Sequence, residues 1–132
     1  MLRVLVGSWM VRYPLGGNLS WTLQWLLGFR RLGHDVYLVE KSGYPDSCFD
    51  PVRGAMGDDC SHGAAAVDAL LTRHGLEGRW CYVDAAGGYH GLPRGQPPTA
   101  CRYVVSGSLS LPAQGCFSPV PHGTRPLSVT RE

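Results

Sequence analysis

The sequence predicts an α/β fold, a partial Rossmann-like βαβαβ unit with a parallel three-stranded sheet, followed by an irregular tail. Three short apolar runs, at residues 2–6, 35–40 and 79–84, have the length and composition of buried strands. Two segments with helical periodicity separate them. Strands that alternate with helices of this length form parallel sheets, because each helix carries the chain back to the same edge.

The first helix is predicted for residues 19–32, with Asn18 as its N-cap and Gly33 just beyond its end. Large apolar side chains cover roughly twice the ~100° arc that one sheet face buries. We therefore expect this helix to meet a second surface through Trp21 and Trp25. That surface would be another domain, a subunit or another hydrophobic partner such as a lipid. The alternative is a central helix that its own domain encloses completely.

A loop is predicted for residues 41–60, and loops of this length in compact domains are either functional or disordered. The second helix is predicted from Ser61 through His74, with Gly75 ending it. His74 falls on the apolar stripe of this helix, so we expect a semi-buried side chain there.

The composition changes near Leu92. Nine of the ten acidic residues precede it, whereas seven of the ten prolines follow it. We therefore predict two regions: a Rossmann-like half-domain over residues 1–92, and an irregular or disordered tail rich in Pro, Gly and Ser over residues 93–132. Val104 and Val105 could form one strand fragment within this tail.

Charge and cysteine content narrow the class of protein. A formal net charge of +2 is too small to indicate nucleic-acid binding. Five cysteines without a CxxC pair argue against a disulfide framework and favour the cytoplasm. No targeting segment is evident and no apolar run approaches the ~20 residues of a membrane span, although a peripheral membrane contact stays open.

A metal site has weak support in the sequence. Cys60 and His62 are close together, and Cys48 is a more distant third candidate ligand. Structural zinc sites usually combine two closely spaced ligand pairs, and no second pair is present. We therefore expect no metal and no bound cofactor.

Candidate ligand-binding residues follow the first strand, because parallel sheets bind ligands at the carboxyl ends of their strands. Gly16, Gly17 and Asn18 lie between the first strand and the first helix. Glycines there let backbone N–H groups approach a ligand, and a helix N-terminus favours an anion. The simpler interpretation is a tight turn with a capped helix.

Glu40 and His90 are the remaining candidate site residues. Glu40 closes the second strand, where it could bind substrate, remain a solvated carboxylate, or pair with Lys41 or Arg12. His90 follows the third strand and is our candidate catalytic residue, as a general base or a sugar-hydroxyl ligand. The alternative is an exposed loop histidine. Asp84 could orient His90 or cap its turn.

The stretch RVLVGSWMVRYPLGGNLSWTLQWLLGFRRLGHDVYLVE resembles the amino-terminal unit of GT-B glycosyltransferases. In that unit a first strand leads to a Gly-Gly loop and a long helix, and an L-G-H-(D or E)-V element enters the second strand. These features are Gly16 with Gly17, and residues 32–36. The segment through His90 is similar to a bacterial group of uncharacterised glycosyltransferase-like proteins.

The resemblance implies a two-domain enzyme that transfers a sugar from a nucleotide-sugar donor to a hydroxyl acceptor, usually without a bound metal. The amino-terminal domain would bind the acceptor, and a carboxyl-terminal domain would hold the donor. The change of composition after Leu92 departs from this pattern, which predicts a truncated or frame-shifted chain that is inactive alone.

Two other functions stay open. A small nucleotide-binding module of an NAD(P)-dependent oxidoreductase would fit the strand and helix order, but the chain has no GxGxxG fingerprint. A non-catalytic interaction domain would pair through the Trp21 and Trp25 face.

Overall fold

The computed structural model describes residues 1–92 and 103–106. Seven strands and two helices lie in these ranges, in the order β1 (Arg3–Gly7), α1 (Gly16–Arg31), β2 (Asp35–Lys41), β3 (Cys48–Asp50), β4 (Ala55–Gly57), α2 (Ser61–Arg73), β5 (Trp80–Val83), β6 (Tyr89–Gly91) and β7 (Tyr103–Ser106). The strand fragment predicted at Val104 and Val105 is confirmed by β7. The rest of the predicted irregular tail lies outside the described residues.

The α/β class is confirmed, but the sheet is larger than predicted and mixed. Its five strands follow the order β6-β5-β2-β1-β7. The three predicted strands pair in parallel, β1 with β2 and β2 with β5, and β7 adds a further parallel strand beside β1. The prediction of a purely parallel, three-stranded sheet was wrong. After β5 the chain reverses through a turn in which Gly87 has a φ of 85°, and β6 then pairs antiparallel with β5.

Both helices pack on one face of this sheet. The core cluster contains alternate residues of three parallel strands, which therefore share a face: Val4, Val6, Val36, Leu38, Trp80 and Tyr82. Leu26 of α1 joins that cluster, as do Val67 and Leu71 of α2. Leu5, Val39, Cys81 and Val83 alternate with the first set and are also buried. Burial on both faces explains why these strands appear as continuous apolar runs.

Helix α1 begins earlier than predicted. Its first residue is Gly16 and its N-cap is Leu15, so the assignment of Asn18 as N-cap was wrong. The Asn18 amide instead donates to the carbonyl oxygens of Trp9 and Tyr13, at 2.8 and 3.0 Å. Asn18 therefore ties the loop before the helix to its first turn. Gly33, with a φ of 82°, ends the helix as predicted.

The apolar arc of α1 is only partly buried. Thr22 and Leu26 are its buried residues, whereas Trp21 and Trp25 are each 45% exposed. The indole rings of Trp21 and Trp25 pack edge to face, with their centroids 6.2 Å apart. The ring of Trp25 stacks on that of Phe29, with centroids 5.9 Å apart. These three rings, called the aromatic ridge below, follow one line along the helix. That a partner covers it stays a prediction.

The region predicted as a long loop contains a short antiparallel hairpin, β3 paired with β4. Gly54, with a φ of 64°, allows its turn. Before the hairpin, the buried hydroxyls of Ser42 and Ser47 bond to each other at 2.6 Å. The loop prediction was therefore wrong for this part of the chain.

Helix α2 ends one residue before His74, which is exposed rather than semi-buried as predicted. At this end, the Arg30 guanidinium of α1 donates to the carbonyl oxygens of His74 and Gly75, both at 2.8 Å. The side chain of one helix thus satisfies carbonyl groups at the end of the other. Among the described residues, no helix has the length and apolar character needed to cross a membrane.

A glycine sets the closest approach between α2 and the loop after β1. A Cβ placed on Gly63 would lie 1.8 Å from the carbonyl oxygen of Val11, which is far inside contact distance. Val11 and Gly63 are both buried. The helix therefore packs directly against the backbone of this loop.

Replacing Gly63 by alanine should destabilise the protein by about 1–3 kcal/mol, because the added methyl group overpacks this contact. Gly28→Ala is the matched control, since a Cβ at this helical glycine meets no atom within 4 Å in the part of the chain that the structure describes. It should be neutral or stabilise the protein by up to about 1 kcal/mol. Urea unfolding measures both variants, and equal midpoints would contradict the close packing.

Candidate functional site at the carboxyl edge of the sheet

The carboxyl ends of β1, β2 and β5 meet at one edge, because these strands are parallel neighbours. Helix α1 begins at this edge, after the loop that follows β1. The turn after β5 also leaves from this edge, and His90 lies just beyond it in β6, paired with Tyr82. The structure therefore brings the Gly16–Gly17 segment and the His90 turn to the same side of the sheet.

Glu40 reaches back into the protein at this edge. Its Oε2 accepts the backbone N–H of Val11 at 2.8 Å, and its Oε1 accepts the backbone N–H and the Nε of Arg12 at 3.1 and 3.0 Å. Glu40 is 2% exposed. Of the alternatives left open by the sequence, pairing with Arg12 is confirmed. Both carboxylate oxygens are engaged within the chain, and a substrate-binding role for Glu40 stays a prediction.

Burial raises the pKa of Glu40 to about 7, although the N–H groups of Val11 and the charge and N–H groups of Arg12 act in the opposite direction. Removal of water disfavours the carboxylate more than these donors favour it. The carboxyl group therefore changes its protonation state near neutral pH while it holds the loop.

The Gly16–Gly17 segment is open to solvent. A Cβ on either glycine would meet no atom of the described residues within 4 Å, and neither glycine has a positive φ. Neither packing nor backbone conformation therefore requires glycine here. No acidic residue lies in the first turn of α1, and no side chain caps it in the described part of the chain. This surface could accept the close approach of a ligand to backbone N–H groups.

Asp84 performs both tasks that the sequence left open. Its Oδ1 accepts the backbone N–H groups of Ala86 and Gly88, at 3.0 and 2.7 Å, and so caps the turn. Its Oδ2 lies 2.8 Å from Nε2 of His90 and so orients the ring. The hydrogen bond from His90 is the main cause of a lowered pKa of Asp84.

Cys60 completes a cluster that the sequence did not reveal. Its Sγ lies 3.5 Å from Nε2 of His90, and ligating atoms of Cys60, Asp84 and His90 all lie within 4.8 Å of one another. Cys60 is buried, whereas the side chains of Asp84 and His90 are 23% and 34% exposed. Desolvation, with Cys48 and Asp84 adding to it, raises the pKa of the Cys60 thiol to about 11.

The sequence paired Cys60 with the wrong histidine. His62 follows Cys60 by two positions, but it is exposed on α2 and does not belong to the cluster. His90 reaches Cys60 from β6, thirty positions along the chain. The spacing of these residues in the sequence does not indicate this contact, because the hairpin of β5 and β6 creates it.

Tyr82 supports the cluster from the core. Its ring centroid lies 5.7 Å from that of His90, and its hydroxyl lies 3.3 Å from Sγ of Cys48. Burial raises the pKa of Tyr82 above its usual value. Tyr82 is therefore a neutral, fully buried group that packs against His90 from the core side.

A cavity of about 520 Å³ lies at the opposite, amino-terminal edge of the sheet. Asp35 there pairs with Arg3 at 2.9 Å and also contacts Arg79. Both guanidinium groups lie over the Tyr37 ring, at 5.5 and 5.0 Å from its centroid. The carboxylate and the ring thus engage the two arginine side chains internally, and we assign this group a structural role.

The chain matches no family model, no curated protein and no solved structure. The likeness to glycosyltransferases therefore rests on the sequence motifs at Gly16, Gly17 and residues 32–36.

The free energy of unfolding should depend on pH through Glu40. Its pKa is raised from 4.5 to about 7, so the folded state binds the proton more tightly than the unfolded state. This contribution to stability is fully present below pH 4.5 and is lost as the pH rises through 7, and it amounts to about 3 kcal/mol.

Glu40→Gln removes this titration. We expect the stability of the unaltered protein, minus that of the variant, to fall between pH 5 and pH 8 in urea unfolding experiments. A difference that stays constant over this range would show that Glu40 has an ordinary pKa.

Proposed function

We propose that residues 1–92 form the acceptor-side domain of a sugar-transferring enzyme. A hydroxyl acceptor would bind along the carboxyl edge of the sheet, and a nucleotide sugar would be held by a second domain. The observation that carries this proposal is the placement of the open Gly16–Gly17 segment and the Asp84–His90 pair at the same edge.

The strand order supports a Rossmann-like assignment. In doubly wound sheets the chain moves outward from the first strand on one side and then continues on its other side. Strands β1, β2 and β5 follow the first direction, and β7 lies on the other side of β1. Ligands of such sheets bind where this direction changes, which here is beside the loop that leads to Gly16.

The backbone and side-chain groups at this edge have distinct roles in the proposed sugar transfer. Backbone N–H groups at Gly16 and Gly17 would donate to an acceptor oxygen or to a phosphate. When Nε2 of His90 donates to Asp84, Nδ1 carries the lone pair and can take the proton of the attacking hydroxyl. The acceptor oxygen then bonds to the anomeric carbon of the donor, the bond from that carbon to the diphosphate breaks, and the nucleoside diphosphate leaves. Asp84 acts as a positioning residue.

Glu40 favours this function over NAD(P) binding. In dinucleotide folds the acid at this strand end binds the ribose. Here both Glu40 oxygens hold Val11 and Arg12, which leaves neither of them to a ribose. Glu40 instead fixes the loop between β1 and α1.

The aromatic ridge of Trp21, Trp25 and Phe29 supports the two-domain proposal. Half-exposed indoles on one helix face suit a contact with a carboxyl-terminal domain or another hydrophobic partner. Cys48 and Cys60 are buried free thiols, which is typical of a cytoplasmic protein. We include both features in the proposal: a partner on the ridge and a cytoplasmic location.

Gly17→Leu should weaken acceptor binding by about tenfold or more, because its side chain would block the N–H groups at the start of α1. The probe is a panel of uncharged alkyl glycosides, measured by saturation-transfer NMR with the full chain. Gly28→Leu is the matched control, since it adds the same group to open space on the same helix. It should leave binding unchanged.

Three results would contradict the proposal. No glycoside of the panel binds; both leucine variants bind as well as the unaltered chain; or UDP- and GDP-sugars bind saturably without a second domain. Saturable binding of NAD(P)H, followed by its fluorescence, would favour the oxidoreductase alternative instead.

A further inference from the structure

Three elements bring potential metal ligands to one place. Cys60 directly precedes α2, Asp84 follows β5, and His90 lies in β6. The ligating atoms of these side chains lie within 4.8 Å of one another. Their types are one thiol sulfur, one carboxylate oxygen and one imidazole nitrogen, which all belong to the usual ligand set of zinc.

We propose that Cys60 Sγ, Asp84 Oδ2 and His90 Nε2 form a Zn²⁺ site with a fourth position open to solvent. The inference departs from the sequence-based expectation of no metal. It does not rest on the proposed sugar transfer.

The sulfur–nitrogen distance fits a tetrahedral zinc ion. Zn–S and Zn–N bonds of about 2.3 and 2.0 Å place sulfur and nitrogen about 3.5 Å apart in a tetrahedron. The Sγ of Cys60 and the Nε2 of His90 are 3.5 Å apart. Nitrogen and oxygen ligands of a tetrahedral zinc ion lie about 3.4 Å apart, whereas His90 Nε2 and Asp84 Oδ2 are 2.8 Å apart. This pair has to open by about 0.6 Å, which a partly exposed histidine side chain can provide.

The geometry distinguishes a metal site from a catalytic triad. In a triad, histidine contacts its nucleophile through one ring nitrogen and its carboxylate through the other. Here the same Nε2 faces both Cys60 Sγ and Asp84 Oδ2. A sulfur, an oxygen and a nitrogen that lie this close together can bind one shared ion.

The surroundings hold the ligands in place. Asp84 Oδ1 is bound by two backbone N–H groups, which leaves Oδ2 directed at His90. A Cβ on Gly88 would lie 2.5 Å from Oδ2, so only glycine fits beside this ligand atom. Cys60 is buried, while Asp84 and His90 are partly exposed and provide a route for entry. Outer contacts of this kind orient ligands and strengthen binding.

This set of ligands favours zinc over other common metal ions. Magnesium and calcium prefer oxygen ligands alone, and copper(I) prefers sulfur. Three protein ligands with one open position are typical of catalytic rather than structural zinc. On binding, the thiol proton of Cys60 passes to solvent and the sulfur binds as a thiolate. Zinc on Nε2 places the ring proton on Nδ1, so His90 could not act as a base while the ion is bound.

The test is a titration of the reduced, metal-free full chain with Zn²⁺ against a chromophoric chelator. The Cys101→Ser, Cys116→Ser double variant serves as the background, so that the described cysteines supply the only thiols. We expect one equivalent to bind. Cys60→Ser and His90→Ala should each weaken binding by about 100-fold or more, beyond the loss typical of outer-shell changes.

His62→Ala is the matched control, because this exposed histidine neighbours Cys60 but lies outside the cluster. It should leave affinity unchanged. Circular dichroism shows whether each variant is folded. Co²⁺ provides a second measurement on the background chain, because a cobalt ion bound to a thiolate gives a charge-transfer absorption band. This band should disappear in Cys60→Ser.

The proposal is overturned if no stoichiometric Zn²⁺ binding occurs, if the cobalt band is absent, or if His62→Ala weakens binding as much as His90→Ala. Glycoside binding is measured separately in the metal-free chain. Failure of the zinc site therefore leaves the sugar-transfer proposal intact, and the reverse also holds.

Discussion

The buried carboxyl group of Glu40 fixes the arrangement of the carboxyl edge. Its contacts with Val11 and Arg12 hold the loop between β1 and α1 against the end of β2. The carbonyl oxygen of Val11 in turn lies against Gly63, where α2 packs without room for a side chain. Since Cys60 directly precedes α2, this series of contacts connects Glu40 to the element that carries the thiol.

The sequence predicted those parts of the fold that depend on local patterns. The apolar runs of β1, β2 and β5 are buried on both faces, so their composition alone identified them. Gly33 marked the end of α1, because a left-handed residue there favours glycine. Asp84 was also interpretable from its position, since a carboxylate at a strand end can cap the following turn.

Features that depend on tertiary contacts were not predictable in this way. β6 is only three residues long, and its pairing with β5 depends on a turn rather than on an apolar pattern. The partnership of Cys60 with His90 exists only because that turn reverses the chain. The prediction of Asn18 as the N-cap of α1 was wrong, because the helix begins two residues before Asn18. In each case long-range packing overrides a local signal.

The bonds from Arg30 to the carbonyl groups of His74 and Gly75 join the two helices at their carboxyl-terminal ends. Both of these ends lie near the amino-terminal edge of the parallel strands, where α1 leads into β2 and α2 leads toward β5. The opposite ends meet through the loop after β1, because Asn18 of α1 binds its carbonyl groups and Gly63 of α2 packs against Val11. The two helices are therefore anchored to each other at both ends, which keeps Gly16 and Cys60 on the same side of the sheet.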